Sequence, residues 1–299
     1  MKRSPLSKRE AKWFYICISP WLIGFIIFTL GPMIFSLYAS FTRWNIFQPP
    51  KWVGLANYIR LFTRDRIFPK ALFNTFYYTF LSVPISMVIS LLLALLLNMK
   101  LKGMRIFRTI FYLPSLIPVV AMSMVFLWVF APDTGVLNSI LSFFGIKGPA
   151  WLLDPKWVKP ALVIMSLWGV GGSTLLLIAG LRGIPEELYE AAYIDGASKM
   201  QILFKITLPL LSPIIFFNLV MGIIGSLQTF SQVYIMTGGG PNNASTTIVL
   251  YLFENAFRFY RMGYASAIAW VLFLIILGFT LIVLKSSALW VFYETEVKK

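Results

Sequence analysis

The sequence predicts an all-α membrane protein with six transmembrane helices and one ordered cytoplasmic segment between helices 4 and 5. Three observations lead there. Of 299 residues, 59% are hydrophobic and 12% charged, too few charges to cover a soluble domain of this size. The charges are bunched, leaving uncharged intervals at 13–42, 71–99, 109–132, 160–181, 206–253 and 262–284. Each can hold the ~20 apolar residues that cross a hydrocarbon core as a helix. The polar stretch 186–205, between the fourth and fifth intervals, nevertheless carries helix-forming signals of its own.

Taken in order, the first span, about 13–38, follows a basic head, "MKRSPLSKREAK", at 1–12. Its apolar run is too long for a signal-peptide core and lacks a small-residue cleavage site, so it reads as a retained helix with a cytoplasmic N-terminus. The second span is about 73–98. The tight basic connection "KLKGMRIFR" leads to the third, about 110–131, and the fourth is about 160–181. The fifth interval has room for two helices, but its second half, "TGGGPNNASTTIVLYLF", opens with helix breakers. One helix at about 209–233 followed by an outer loop is expected. The sixth span is about 264–285, closing a six-helix domain at 13–285 before a cytoplasmic tail at 286–299. Lys and Arg number 15 on the side this assigns to the cytoplasm and 11 on the other, which agrees with both termini inside. Trp13, Phe14, Tyr15, Trp44, Trp52, Phe76, Tyr77, Tyr78 and Trp290 sit near span ends and read as interfacial anchors.

Several functions are excluded by what the chain lacks. The net charge of +15 comes from residues flanking apolar runs, with no basic face for nucleic acid. Histidine is absent and Cys17 is the single cysteine, so neither a metal site nor a disulfide is expected. The spans hold no Asp, Glu, Lys or Arg apart from the terminal Lys285. Proton-driven carriers and membrane enzymes need such groups. There is no G-x-x-x-x-G-K-[ST] loop, so the chain is not expected to hydrolyse ATP. Uphill transport would draw its energy from another polypeptide.

That points to 186–205. Glu186, Glu187, Glu190, Asp195, Lys199 and Lys205 would each cost ~2.5–3.5 kcal/mol at the bilayer centre, so the segment lies outside it. Pro185 suits a first helical position, and Glu186 and Glu187 complement the positive end of the helix dipole. Leu188, Ala191, Ala192 and Asp195 share one face by spacing. Gly196 can take a left-handed turn, ending one helix and admitting a second from Ser198 through Ile202, Leu203 and Ile206 to Leu208-Pro209. A helix this short is marginal in water, so a groove on a partner is expected to hold it.

Glu190-Ala191-Ala192, then Gly196 after three residues, then Ile206-x-Leu208-Pro209 after nine more, resembles the EAA motif of ABC importer permeases. "SPWLIGFIIFTLGPMIFSLYASFTRW", "IFRTIFYLP" and "TGGGPNNASTTIVLYLFENAF" resemble the carbohydrate-uptake branch, of the maltose-F or glycerol-phosphate-A kind, over nearly the whole chain. The extra N-terminal helices and large outer domain of the maltose subunit have no counterpart in these 299 residues. The resemblance implies a second homologous permease, a homodimeric ATPase that binds ATP and Mg, and an extracytoplasmic solute-binding protein. The loop at 182–208 would be the coupling helix seated in the ATPase, with Glu190 pairing a basic group and Gly196 allowing the bend. The solute would be a carbohydrate, a neutral disaccharide or oligosaccharide, moved by alternating access. An autonomous channel or secondary carrier for a small neutral solute is the alternative.

A solute path is sought among the spans. Asn218, Gly222, Gly225, Ser226 and Thr229 form one stripe of helix five, and Trp168, Gly169 and Gly172 lie at similar depth on helix four. Hydroxyl-bonding groups, an aromatic and small residues suit a sugar; the same small residues also suit tight helix packing. Gln228 and Gln232 share another face, which is expected to meet the partner subunit. Asn243-Ala-Ser matches a glycosylation sequon, discounted in the bacterial or archaeal setting that the resemblance implies.

Overall fold

A computed structural model describes residues 5–99 and 101–292. Expectations for residues 1–4 of the head and 293–299 of the tail lie outside the described residues. The chain forms two compact units, one of residues up to Asp65 with Leu252–Val271, the other of Arg66–Tyr251 with residues from Leu272 on.

In the first unit, α1 (Pro5–Phe25), a π turn (Ile26–Leu30) and α2 (Gly31–Ser40) follow one another, and Glu10–Ser40 is one apolar span. The helix therefore starts inside the basic head and ends beyond residue 38. The π turn answers Pro32, which has no N–H to give and whose ring crowds the carbonyl four residues back. Gly31 N–H instead reaches Ile26 O, five residues back, and the chain stays helical through the proline.

After α2, β1 (Thr42–Arg43) pairs antiparallel with β2 (Lys51–Trp52) in the register Thr42↔Trp52 and Arg43↔Lys51, a hairpin not foreseen in an all-α chain. The short helix α3 (Ala56–Thr63) is pinned to the end of α2. Asn57 Nδ2 donates to the carbonyls of Ser40 and Thr42 at 2.8 and 2.9 Å, and the Tyr58 hydroxyl bonds Ser40 Oγ at 2.7 Å. The start of the helix Met262–Trp290 closes this unit. Gly263 N–H donates to Trp44 O at 3.2 Å, Trp270 Nε1 donates to Ser36 Oγ at 3.1 Å, and the Tyr264 hydroxyl bonds the Asp65 carboxylate.

The second unit holds most of the core. α4 (Phe68–Leu97) is the second span, unbroken through Pro84. The third span is not the single helix expected at 110–131. α5 (Met104–Tyr112) and a 3-10 turn (Leu113–Leu116) meet α6 (Val119–Val129) at 98°. Pro114 and Pro118 remove two backbone donors, and Ile117 and Pro118 are extended, with ψ of 127° and 138°. Part of the expected basic loop, from Met104, is thus helical. α7 (Val136–Phe143) follows.

The fourth span also breaks, into α8 (Val158–Leu167) and α9 (Gly171–Gly183), at 43°. Here a side chain at Gly171 would sit 2.5 Å from the Phe111 carbonyl, so only glycine lets α9 start this close to α5.

Beyond α10 (Glu186–Ile194), a continuous helical run joins α11 (Lys199–Ile202), a π turn (Leu203–Thr207) and α12 (Leu208–Leu227). Leu208-Pro209 was expected to open a new helix; it does not interrupt this one. The device is the one used at Pro32, with Leu208 N–H reaching Leu203 O across the π turn. The fifth helix stops at Leu227, short of the expected 233. Thr247 Oγ1 takes the Thr229 carbonyl at 3.0 Å in the gap before α13 (Ser231–Met236).

The expected outer loop after it is partly buried, at Gly239 and 245–248. Asn74 Nδ2 donates to the carbonyls of Asn243 and Thr246 at 2.9 and 3.0 Å, and Ile248 N–H donates to Thr75 Oγ1 at 3.0 Å. The segment is thereby fastened to α4 before α14 (Ile248–Phe253) begins. Ser245, the hydroxyl residue of the sequon, is buried and donates to the Gly240 carbonyl at 2.6 Å. The last helix, α15 (Met262–Trp290), overruns 264–285 and absorbs the start of the expected tail; Phe292 N–H then bonds Ser212 Oγ of α12 at 2.8 Å.

Two apolar clusters knit this unit. Phe126, Phe130, Trp151, Leu162, Val233 and Leu250 join α6, α8, α13 and α14; Ala94, Leu97, Leu177, Leu181 and Leu211 join α4, α9 and α12. The six-span, all-α reading stands, with four unbroken spans and two bent pairs among the described residues.

Candidate functional site

The polar segment between the fourth and fifth spans folds as two helices around a sharp reversal. Pro185 is the N-cap of α10, one position earlier than expected, and Glu186 and Glu187 fill its first turn. Asp195 is the C-cap and Gly196 follows at φ +74°, a conformation that side chains disfavour. Gly196 N–H bonds Tyr193 O at 3.1 Å and Ala197 N–H bonds Ala192 O at 2.9 Å, the paired bonds of a Schellman motif. Two residues on, Ser198 starts the next helix with a capping box: Gln201 N–H donates to Ser198 Oγ, and Ser198 N–H donates to Gln201 Oε1 at 2.7 Å. Hydrogen bonds therefore fix both ends of the turn.

The face expected from spacing is only partly right. Ala192 is buried within the chain, whereas Leu188, Glu190, Ala191, Asp195 and Gly196 are exposed. The adjoining Ile194 is 86% exposed, an apolar side chain with nothing over it in this chain. The inner face is held by the chain itself, where the Tyr189 hydroxyl lies 3.3 Å from Thr207 Oγ1. Ile206, Leu208 and Pro209 are half-buried in the run leading into the membrane helix. From Lys199 on, the segment thus runs without a break into the fifth span.

The second site is a cavity of about 450 Å³ in the second unit. On α12 it is lined by Asn218, Gly222, Gly225 and Ser226, with Thr229 joining from beyond the helix end. The break between α8 and α9 adds Gly169, flanked by Ser166 and Ser173. Six of the eight residues sought as a solute path therefore converge. Trp168 and Gly172 do not: Trp168 stands edge-on to Phe126 at 6.0 Å between ring centroids, and Gly172 is exposed outside the lining. The bend after Leu167 rotates alternate residues away.

The remaining wall comes from α4, as Tyr78, Ser82, Ser86 and Ser90. These four recur every fourth residue in an apolar helix, a signal present in the sequence and missed there. Tyr78 is no interfacial anchor; it is buried, and its hydroxyl accepts a 2.7 Å bond from Gln232 Nε2. Gln232 in turn is buried rather than offered to a partner, and the helix break at 228–230 separates it from the exposed Gln228.

No charged residue lines the cavity. Two of its hydroxyls already donate to their own helix: Ser166 to Val163 O at 2.6 Å and Ser226 to Ile223 O at 3.0 Å. Those oxygens keep acceptor lone pairs, which suits a ligand rich in hydroxyl donors. The volume falls in the ~300–1,000 Å³ range of small-molecule sites. Among the described residues no group of three His, Cys, Asp or Glu could hold a metal ion.

Comparison with known proteins places these features in context. Residues 86–288 match the family described as the binding-protein-dependent transport system inner membrane component. The chain is 43% identical to a probable ABC transporter permease protein, YesP, of Bacillus subtilis, over 99% of this chain and 97% of that protein. It is 38% identical to the trehalose/maltose transport system permease protein MalF of Thermococcus litoralis, over 94% and 96% of the two chains. Its fold is similar to a chain in the crystal structure of a bacterial alginate ABC transporter in complex with an alginate pentasaccharide-bound periplasmic protein. That match has a TM-score of 0.84 at 26% identity, covering 96% of this chain and 97% of that one.

Proposed function

The chain belongs to the inner membrane components of binding-protein-dependent transport systems, and from that premise we propose that it forms half of the path by which an ATP-driven importer takes up a neutral carbohydrate. The observation that carries the reading is the cavity. It is uncharged, rich in serine, and built from α4, α8, α9 and α12. A saccharide needs hydrogen-bonding partners without a counter-charge, and this wall supplies them. Relatives named for trehalose/maltose and arabinooligosaccharide transport support the same solute class.

The chain is a transport component and not an enzyme, so energy arrives from a separate ATPase that binds ATP and Mg. The segment 182–208 is the coupling element seated in that subunit. Glu190 and the exposed Ile194 present charge and apolar surface to it, and Gly196 fixes the angle between α10 and the helix that continues into the membrane. A push on α10 is delivered to α12 because Lys199–Leu227 is one helical run. ATP-driven closure of the ATPase would then favour one of two permease conformations, giving alternating access around the cavity. A second homologous permease supplies the other half of the path, and an extracytoplasmic binding protein delivers the solute. Both termini face the cytoplasm, as the Lys and Arg distribution favours.

The test is reconstitution in liposomes with and without the partner ATPase, second permease and binding protein. ATP-dependent accumulation of a labelled oligosaccharide by the full set is expected. Accumulation by this chain alone would establish the alternative, an autonomous channel or carrier.

A further inference from the structure

We infer that the first unit carries a binding site for the headgroup of an anionic phospholipid. A pocket of about 940 Å³ there is lined by Arg43, Lys51, Arg60, Arg64 and Arg261 and by no acidic residue. Two of these cations, Arg43 and Lys51, are directly opposite each other across the β1–β2 ladder. Directly opposed residues share a face, and like charges there repel. An anion between them removes that repulsion.

The surroundings specify a lipid. The lining residues lie within 42–64 and 259–264, so the pocket begins two residues after the span Glu10–Ser40 ends and finishes as the span Met262–Trp290 starts. That is the level of the headgroups. At the edge of the pocket, Leu55 at the N-cap of α3 and Ile59 and Phe62 within it share one exposed face, about 60% accessible each, together with Trp52 on the hairpin; Ile59 also lines the pocket. An amphipathic helix with basic residues along one side and Leu, Ile and Phe on the other lies in the plane of a membrane interface. The hydrogen bonds from Asn57 and Tyr58 to the end of α2 hold α3 in place there. A dissolved anion or an acidic protein surface would account for the cations but not for this exposed apolar face. The phosphate of a phosphatidylglycerol would sit among the cations, its acyl chains running along α2.

The assembled transporter, extracted in mild detergent, is given phosphatidylglycerol or phosphatidylethanolamine and examined by native mass spectrometry. The wild type should retain phosphatidylglycerol at collision energies that strip phosphatidylethanolamine. K51Q/R64Q, which leaves Arg60 stacked on Tyr264 at 5.0 Å, should lower that retention at least tenfold. The charge-conserving K51R/R64K should keep it. Equal retention of both lipids, unchanged retention in K51Q/R64Q, or loss in K51R/R64K would overturn the inference. So would displacement of the lipid by free glycerol phosphate at equal concentration, which would mark a site for a soluble anion. A fall in binding-protein affinity of K51Q/R64Q with lipid retention unchanged would overturn it in favour of a protein-docking surface.

Discussion

Gln232 Nε2 donates a 2.7 Å hydrogen bond to the Tyr78 hydroxyl, joining two buried residues that lie 154 positions apart in sequence. The bond ties the segment after the fifth helix to α4, whose next three turns supply Ser82, Ser86 and Ser90 to the cavity. Y78F removes the acceptor and leaves a buried amide unpaired, at a cost of about 1–3 kcal/mol. A fall of several degrees in the melting temperature of the detergent-solubilised transporter is expected. The double variant Y78F/Q232L, which removes both polar partners, should recover part of that loss.

Within the cavity, Ser86 and Ser226 contribute hydroxyls from facing helices. S86A/S226A should raise the KM for uptake by roughly 10-fold or more if each hydroxyl is worth about 1 kcal/mol to a bound sugar. Insertion and basal ATPase activity should be unaffected. Dose–response uptake in proteoliposomes reads this directly, and an unchanged KM would assign the stripe to helix packing alone.

Gly196 sits at φ +74° and closes the Schellman turn. G196V forces a β-branched residue into the left-handed region, where even an ordinary side chain costs roughly 1–2 kcal/mol. It should tilt α10 and abolish uptake while the protein remains in the membrane fraction. Charge reversal by E190K should do the same without touching the turn. Membrane yield, co-purification of the ATPase and uptake, measured together, separate lost coupling from lost folding.

Pro209 follows a π turn whose Leu208 N–H reaches Leu203 O. P209A restores a backbone donor, so the α-helical register can return through 203–207. Loss of the extra residue in that turn rotates α10 relative to α12 by roughly one residue, about 100° at 3.6 residues per turn. Distances between spin labels at Glu187 and Met221 should shift relative to wild type, and uptake should fall.

The sequence by itself determined the membrane class, the six apolar intervals and the polar lever, because bilayer length and the cost of burying charge act on local composition. It also determined the Gly196 reversal and most of the α12 wall, since both depend on spacing within one helix. Its blind spots have equally physical causes. The ladder Tyr78, Ser82, Ser86 and Ser90 was legible as a four-residue period, but a period of hydroxyl residues looks alike facing lipid, protein or cavity. The 98° turn after Leu116 was readable in principle from Pro114 and Pro118, yet hydropathy does not register direction. Only the tertiary structure decided that the end of the expected outer loop, residues 245–248, is buried and fastened to Asn74 and Thr75, because its backbone groups find their partners some 170 positions away. The same long-range pairing moved Tyr78 and Gln232 from the presumed surface to the wall and support of the cavity.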